Sequence, residues 1–225
     1  MPKGVKVIIN AGREGSAWSG GQYWDDPKVQ AILTQWVQKG GGFIGVGEPS
    51  AVPQPGQLFK LSHVLGLDRD RGERIANGKY KYDAPVGGHF ITADLTGAPD
   101  FGKDIDGIYV FGPDTPVLVD RDNSPRLATH AFGKGRAVYA SGFKFTPENT
   151  RLLHRAIFWA AAQEAKYPVW SSTNVRTECA YFAKQKKLVV INNAGEPQQT
   201  IITLADGHAT KPVSLAAHGI AILDV

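Results

Sequence analysis

Between Ile8 and Ala51 the chain carries a strand signal, a bounded helix signal and a second strand signal in succession, which leaves few architectures open to it. Val5, Val7, Ile8 and Ile9 form a short β-branched run, and Phe43 to Val46 form another. The helix between them has a marked start and stop. Asp26 can accept from the unpaired first-turn amides, and Pro27 suits the first helical position because its φ is fixed and its missing donor is not needed there. Val29, Ile32, Leu33, Trp36 and Val37 then follow the i, i+3, i+4, i+7, i+8 spacing of one apolar stripe. Gly40-Gly41-Gly42 supplies a residue free to take positive φ and end the helix. Two strands joined by a helix imply a parallel pair with a right-handed crossover. Ligands of such sheets collect beyond the carboxyl ends of the strands. Here those ends are Asn10-Ala11-Gly12-Arg13-Glu14-Gly15 and Gly47-Glu48-Pro49-Ser50.

Further along, residues 57–65 read as a short amphipathic helix ending near Gly66, and residues 68–85 as loop with at most one short strand. Strand-like runs follow at His89–Thr92, Gly107–Phe111 and Pro116–Val119. Leu127–Phe132 and Arg136–Ser141 flank Gly133-Lys134-Gly135 as a β-hairpin. Thr146-Pro147-Glu148 opens a second helix with Leu152, Leu153, Ala156, Ile157 and Ala160 on one face, fading by Lys166. Tyr167-Pro168 marks a change to short strands: Cys179–Ala183, Leu188–Asn192, Thr200–Leu204 and Ile220–Val225, separated by turn signals. The expected organisation is an α/β domain over residues 1–167 with a mostly parallel sheet, and a small antiparallel β domain over residues 168–225. So small a sheet has little interior, so it is expected to lean on the α/β domain or on another partner.

Composition narrows the function classes. Twenty-five Lys and Arg against 21 Asp and Glu leave a net charge of +4, but the bases are scattered among acids and do not point to nucleic acid. The one compact basic run, Lys184-Gln185-Lys186-Lys187, falls at an expected hairpin turn. Cys179 is the single cysteine, so an internal disulfide and a CxxC redox pair are both excluded, consistent with a cytoplasmic protein. No stretch of 18 apolar residues and no signal-like core occur, so no membrane association is expected. The six histidines show no HxH, HxxxH or HExxH spacing; no metal and no cofactor are expected.

The segments INAGREGSAWSGGQYW, WVQKGGGFIGVGEPSA, FKLSHVLGLDRD and FGKGRAVYASGFKFTPENTRLLHRAIFWA together resemble the galacto-N-biose/lacto-N-biose phosphorylases of glycoside hydrolase family 112, which include galactosyl-rhamnose phosphorylases. The resemblance implies a catalytic (β/α) barrel, then an α/β domain with the class I glutamine-amidotransferase-like (flavodoxin-like) fold, then a small β domain. This chain matches the last two. In that family an acid on the barrel protonates the glycosidic oxygen while inorganic phosphate, the co-substrate, attacks the anomeric carbon with inversion. No residue of this sequence inherits that acid, so no catalytic residue is expected here. The implied partners are the catalytic barrel, a galactosyl disaccharide in the intact enzyme, and further copies in a homo-oligomer such as a dimer. The implied role is to buttress the barrel and shape its substrate cleft.

Within this frame Arg13, Glu14, Trp18, Glu48 and Ser50 are the candidate cleft residues. The Gly12–Gly21 loop could cradle an oxyanion with Arg13, but its spacing fits neither GxGxxG nor GxxxxGK[ST], and a shaped surface loop is the favoured alternative. If it closes over the barrel mouth, Trp18, Tyr23 and Trp24 could offer flat faces to a sugar. Gly45–Ser50 lies where amidotransferase-like folds place a nucleophile, yet Glu48 occupies the turn and Ser50 follows a proline. Cys179 reads as a half-buried strand residue. Glu48 and Glu14 could form a carboxylate pair at neighbouring strand ends, the minimal equipment of an independent hydrolase. A stand-alone carbohydrate- or protein-binding module is the rival from another class.

Overall fold

The computed structural model describes residues 3–13, 19–52, 58–70, 88–93, 95, 97–103, 105–112, 116–119 and 124–225. The chain divides into two units, Met1–Ala162 and Gln163–Val225. The first contains, in chain order, β1 (Val7–Gly12), α1 (Pro27–Gln38), β2 (Gly42–Gly47), α2 (Ser62–Leu65), β3 (Leu67–Arg69), β4 (Ile108–Val110), β5 (Pro116–Val119), β6 (Pro125–Phe132), β7 (Gly135–Ala140) and α3 (Pro147–Ala160).

The helix signals hold at both caps. The Asp26 carboxylate accepts from the Lys28 amide at 2.8 Å, and the Thr146 hydroxyl accepts from the Asn149 amide at 3.1 Å, each ahead of a proline in the first turn. Val37 of α1 is fully buried, and Val29, Leu33 and Trp36 pack with it on the sheet face that carries Phe43, Ala137 and Tyr139. Ile32, placed on that stripe by spacing, is 55% exposed at its margin. Leu152, Ala156 and Ala160 of α3 pack on the opposite face, against Ile44, Leu127, Val138 and Ala140. Because helices cover both faces, successive residues of β2 and β7 are buried, which is the continuous apolar run the sequence shows there.

Five strands form the main sheet in the order β1-β2-β7-β6-β5. The neighbours β1, β2 and β7 are parallel, whereas β6 is antiparallel to β7 and β5 to β6. The sheet is therefore mixed, not mostly parallel. The cause is the turn at Gly133-Lys134: Phe132 pairs directly with Gly135, and so short a connection can only reverse the chain. Gly135 also has a packing reason. A Cβ there would lie 2.0 Å from the Val37 carbonyl oxygen and 2.4 Å from that of Gly41. Gly135→Ala is expected to cost about 1–3 kcal/mol, the range for overpacking a close-packed interior, measured as a lower urea midpoint with unchanged m.

Two local expectations are corrected. His89–Thr92 is not a strand: Phe90–Thr92 form a 3₁₀ turn, because the His89 ring accepts from the Ile91 amide at 3.2 Å and Thr92 Oγ1 accepts from the His89 amide at 3.4 Å. Those local bonds compete with a ladder and win. The helix expected over 57–65 is only the single turn α2, closed at Gly66 with φ 72°. It leads straight into β3, which pairs antiparallel with β4. Residues 71–87 lie outside the described residues.

The second unit contains β8 (Ser171–Ser172), β9 (Thr177–Phe182), β10 (Lys187–Asn192), β11 (Gln198–Thr200), β12 (Ile202–Thr203), β13 (Val213–Leu215) and β14 (Ile220–Asp224). The run expected as one strand at Thr200–Leu204 contributes to two ladders, β11-β13 and β12-β8, and β13 is an addition. Leu188, Val190, Ile202, Val213 and Leu215 make a core of its own. Trp170 stacks on Tyr181 with ring centroids 4.0 Å apart, and the half-buried Cys179 thiol donates to the Trp170 carbonyl at 2.9 Å. The basic run caps the β9–β10 hairpin, with Lys186 at φ 51°. Among the described residues no helix is long and apolar enough to cross a membrane.

Candidate functional site

A buried polar knot fixes both strand-end loops. Asn10, on β1, donates through Nδ2 to the Ser19 carbonyl at 2.9 Å and accepts at Oδ1 from the Ser50 amide at 2.8 Å. The Trp24 indole N–H donates to the same Ser19 carbonyl. Ser50 takes φ 52°, is fully buried, and its hydroxyl accepts from the Leu61 amide at 3.0 Å while its carbonyl accepts from the Lys60 amide at 3.0 Å. Ser50 is thus a post beneath the surface and does not line a cleft, contrary to expectation. Its hydroxyl serves the Leu61 amide, which would otherwise be buried without a partner. Trp24 belongs to the core, so its ring is not offered to a sugar, while Tyr23 beside it is 71% exposed. Glu14 and Trp18 lie outside the described residues.

Above this knot a cleft of about 670 Å³ opens at the carboxyl ends of the three parallel strands, within the usual size range for small-molecule sites. Gly12, Arg13, Gly47 and Glu48 line it from β1 and β2, Ser141, Gly142 and Phe143 from the end of β7, and Phe101, Gly102, Lys103, Ile105 and Asp106 from the segment before β4. The floor is tightly drawn. Gly47, at φ 77°, approaches so near the Gly12 carbonyl that a Cβ would sit 3.0 Å from its oxygen. The Glu48 amide donates to that oxygen at 2.9 Å, and the buried Tyr139 hydroxyl donates to the Gly47 carbonyl at 3.1 Å. Burial pushes the Tyr139 phenol upward, so it stays a neutral donor.

Arg69, from β3, closes one wall. Its guanidinium pairs with Glu48 and with the Asp106 carboxylate at 2.7 Å, while its Nε donates to the Asp106 carbonyl at 2.8 Å. The hydrogen bond from Arg69 holds the Asp106 carboxyl below its usual range. Beneath, Asp68 Oδ1 accepts from the Phe59 and Arg69 amides, both at 2.8 Å, and burial pushes that carboxyl upward against those bonds. Glu48 is a partner of Arg69, while Glu14, the other half of the carboxylate pair read from the sequence, lies outside the described residues. The elbow itself carries glycine at its sharpest point and a buried serine three residues on. Among the described residues no group of three or more His, Cys, Asp or Glu could hold a metal ion.

Of the expected cleft residues the structure brings Arg13 and Glu48 together. Arg69, Asp106, Lys103 and Ser141 join them without having been singled out in the sequence. Arg69 was visible only as part of LDRD in a stretch read as loop, and the β3–β4 pairing that carries it to Asp106 left no local signal.

Residues 1–165 match the family model described as the lacto-N-biose phosphorylase central domain, and residues 170–223 the one described as its C-terminal domain. The chain belongs to the lacto-N-biose phosphorylase family. Its relatives in that family include the 1,3-beta-galactosyl-N-acetylhexosamine phosphorylase of Bifidobacterium longum subsp. longum, 37% identical over 249 residues covering 96% of this chain and 33% of that protein. A 1,3-beta-galactosyl-N-acetylhexosamine phosphorylase of Lachnoclostridium phytofermentans is 41% identical over 197 residues, covering 87% and 27%. The D-galactosyl-beta-1->4-L-rhamnose phosphorylase of the same organism is 37% identical over 210 residues, covering 93% and 28%. The chain therefore spans a third or less of the length of these curated relatives. In fold it is similar to the β-galactosidase of Rahnella sp. R3, with a TM-score of 0.55 at 16% identity over 96% of this chain and 32% of that one. The β-galactosidase of Halorubrum lacusprofundi gives 0.52 at 9% identity over 98% and 30%.

Proposed function

We propose that these residues are the non-catalytic α/β and β units of a galactosyl-N-acetylhexosamine or galactosyl-rhamnose phosphorylase. In the complete enzyme they buttress a catalytic barrel, contribute the strand-end loops to one wall of its substrate cleft, and support association of subunits. The observation that carries this is the state of the strand-end carboxylate: Glu48 is committed to Arg69, and the turn around it presents no nucleophile and no His to activate one among the described residues. A general acid must be free to hand over its proton in the transition state. The second unit adds support, since Ile220 and Ile222 on the outward face of its sheet are 65% and 64% exposed, an apolar surface that the remainder of such an enzyme would cover. The parallel β1-β2-β7 core with helices on both faces and a strand-end cleft favours the amidotransferase-like description of the α/β unit, with β6 and β5 as an antiparallel extension. A cytoplasmic location fits a single half-buried thiol.

The purified chain, incubated with β-1,3-galactosyl-N-acetylhexosamine or galactosyl-rhamnose and phosphate, is expected to form no galactose 1-phosphate. Phosphate-dependent release of that product by the chain alone would overturn the proposal.

A further inference from the structure

We propose that β14 is the edge at which two copies of this chain join, the same strand of a second copy pairing antiparallel with it so that the two three-stranded sheets run on as one. This rests on the reading that these units support subunit association and deepens it, naming the surface and its occupant. The carrying observation is an apolar strand edge left open. β14 is the end strand of the order β14-β10-β9. The Asn192 amide donates to the Gly219 carbonyl and the Val225 amide to the Lys186 carbonyl, which fixes the phase of the β10–β14 ladder. Odd-numbered residues of β14 therefore bond to β10, and the amides and carbonyls of Ile220, Ile222 and Asp224 point away from the sheet. Native edges of this kind are blunted by a proline, a bulge, a lysine or a covering segment. β14 reads Ile-Ala-Ile-Leu-Asp, pairs with β10 without a register shift, and its one charge, Asp224, is already paired with Lys187. Ile220 and Ile222 are exposed, and Ile191 and Val189 stand opposite them on β10, so the apolar face runs up to the open edge.

The sequence of the edge selects its occupant. Antiparallel pairing about a twofold axis at Ala221 sets Ile220 opposite Ile222 of the second copy, and Ile222 opposite its Ile220. Each such pair exchanges two hydrogen bonds from the outward groups. Four isoleucines then form one cluster on one face, the cross-strand contact that stabilises a sheet. The two Asp224 carboxylates fall at opposite ends of the joint, each beside the exposed His218 of the other copy, whose imidazole can donate to it. A parallel copy of the strand would instead set Asp224 beside Asp224, and moving the axis to Ile222 would set each Ile220 opposite a carboxylate. Apolar residues meet and like charges separate only in the antiparallel arrangement about Ala221.

Sedimentation equilibrium of the purified chain in reductant, across about a hundredfold range of concentration, should show reversible monomer–dimer association and no larger species, because a twofold contact closes on itself. Amide exchange at Ile220 and Ile222 should slow as concentration rises, while exchange in β9 stays constant. Ile222→Pro removes an outward amide and no bond to β10, so the dilute chain should keep its far-ultraviolet circular dichroism yet associate at least about tenfold more weakly. Ile222→Lys keeps the backbone, places the commonest edge-blocking side chain at the joint, and should weaken association likewise. Ile191→Lys, on the same face but one strand in from the edge, should leave association intact. Loss of association in Ile191→Lys but not in Ile222→Pro would mean that copies stack face to face, and would overturn the proposal. So would a chain that stays monomeric throughout, open-ended larger species, exchange at Ile220 and Ile222 that ignores concentration, or association undiminished in both Ile222 variants. Formation of galactose 1-phosphate tests the scaffold role separately, so a monomeric chain that forms none would sink the edge pairing alone.

Discussion

Arg69→Met is expected to destabilise the first unit by about 3 kcal/mol, toward the lower end of what breaking a buried ion pair costs, because the methionine fills the space but leaves Glu48 without its guanidinium. Glu48 and Arg69 side chains retain 10% and 18% of their accessible surface, so water recovers only a little of the loss. Chemical denaturation would show a lower midpoint. The double variant Arg69→Met with Glu48→Leu should regain most of the stability, since removing both charges leaves nothing uncompensated, and a double variant as unstable as the single one would refute the account. The same guanidinium has a pH signature. Asp106 in the folded chain titrates below the ordinary carboxylate value, so between those two values the unfolded chain binds more protons than the folded one. The pair's stabilisation is therefore present above the ordinary carboxylate range and is lost as pH falls through the folded value. Asp106 is half exposed, which keeps that contribution small. Carboxyl NMR titration should place Asp106 below the usual range in the native chain and return it upward in Arg69→Met.

Asn10→Ala is expected to have the larger effect. It removes the acceptor of the Ser50 amide and a donor to the Ser19 carbonyl, both in buried surroundings. Each orphaned group costs about 1–3 kcal/mol, so the pair amounts to roughly 2–6 kcal/mol. The Trp24 indole still reaches Ser19, which softens one side of the loss. The distinctive outcome concerns shape. Asn10 is the atom-level link between the loop after β1 and the loop after β2, so its loss should raise amide hydrogen exchange at residues 19–24 and 49–52 well before exchange rises in α3. Uniform loss of protection across the unit would mean that Asn10 merely fills space. Asn10→Asp tests the bonding directly, since it keeps the acceptor to Ser50 and loses the donor to Ser19.

The elements legible in the sequence are those whose causes lie within a few residues. Asp26-Pro27 and Thr146-Pro147 start the two long helices where the capping chemistry places them, and Gly133-Lys134 reverses the chain into the β6–β7 hairpin. His89–Thr92 shows the limit of the same logic: its apolar and β-branched residues suggested a strand, while side-chain bonds from His89 and Thr92 to nearby amides closed a turn. The strand-end position of the cleft, and Arg13 and Glu48 within it, followed from the strand–helix–strand pattern alone. The partner of Glu48 did not, nor did the burial of Ser50, whose proline neighbour and polar side chain look the same in a surface loop.

The amino-acid sequence by itself determined the two long helices with their starts, the hairpin and the family to which the chain belongs, because caps, turns and periodicity act through neighbours along the backbone. Only the tertiary structure decided that the hairpin docks through β7 beside β2 and is extended by β5, that Arg69 joins Glu48 across 21 residues and Asp106 across 37, and that Asn10 ties Ser50 to its strand across 40. Such contacts are set by which strands lie side by side, and the free energy that selects a sheet order belongs to the packed core as a whole and leaves no mark on any one stretch of chain.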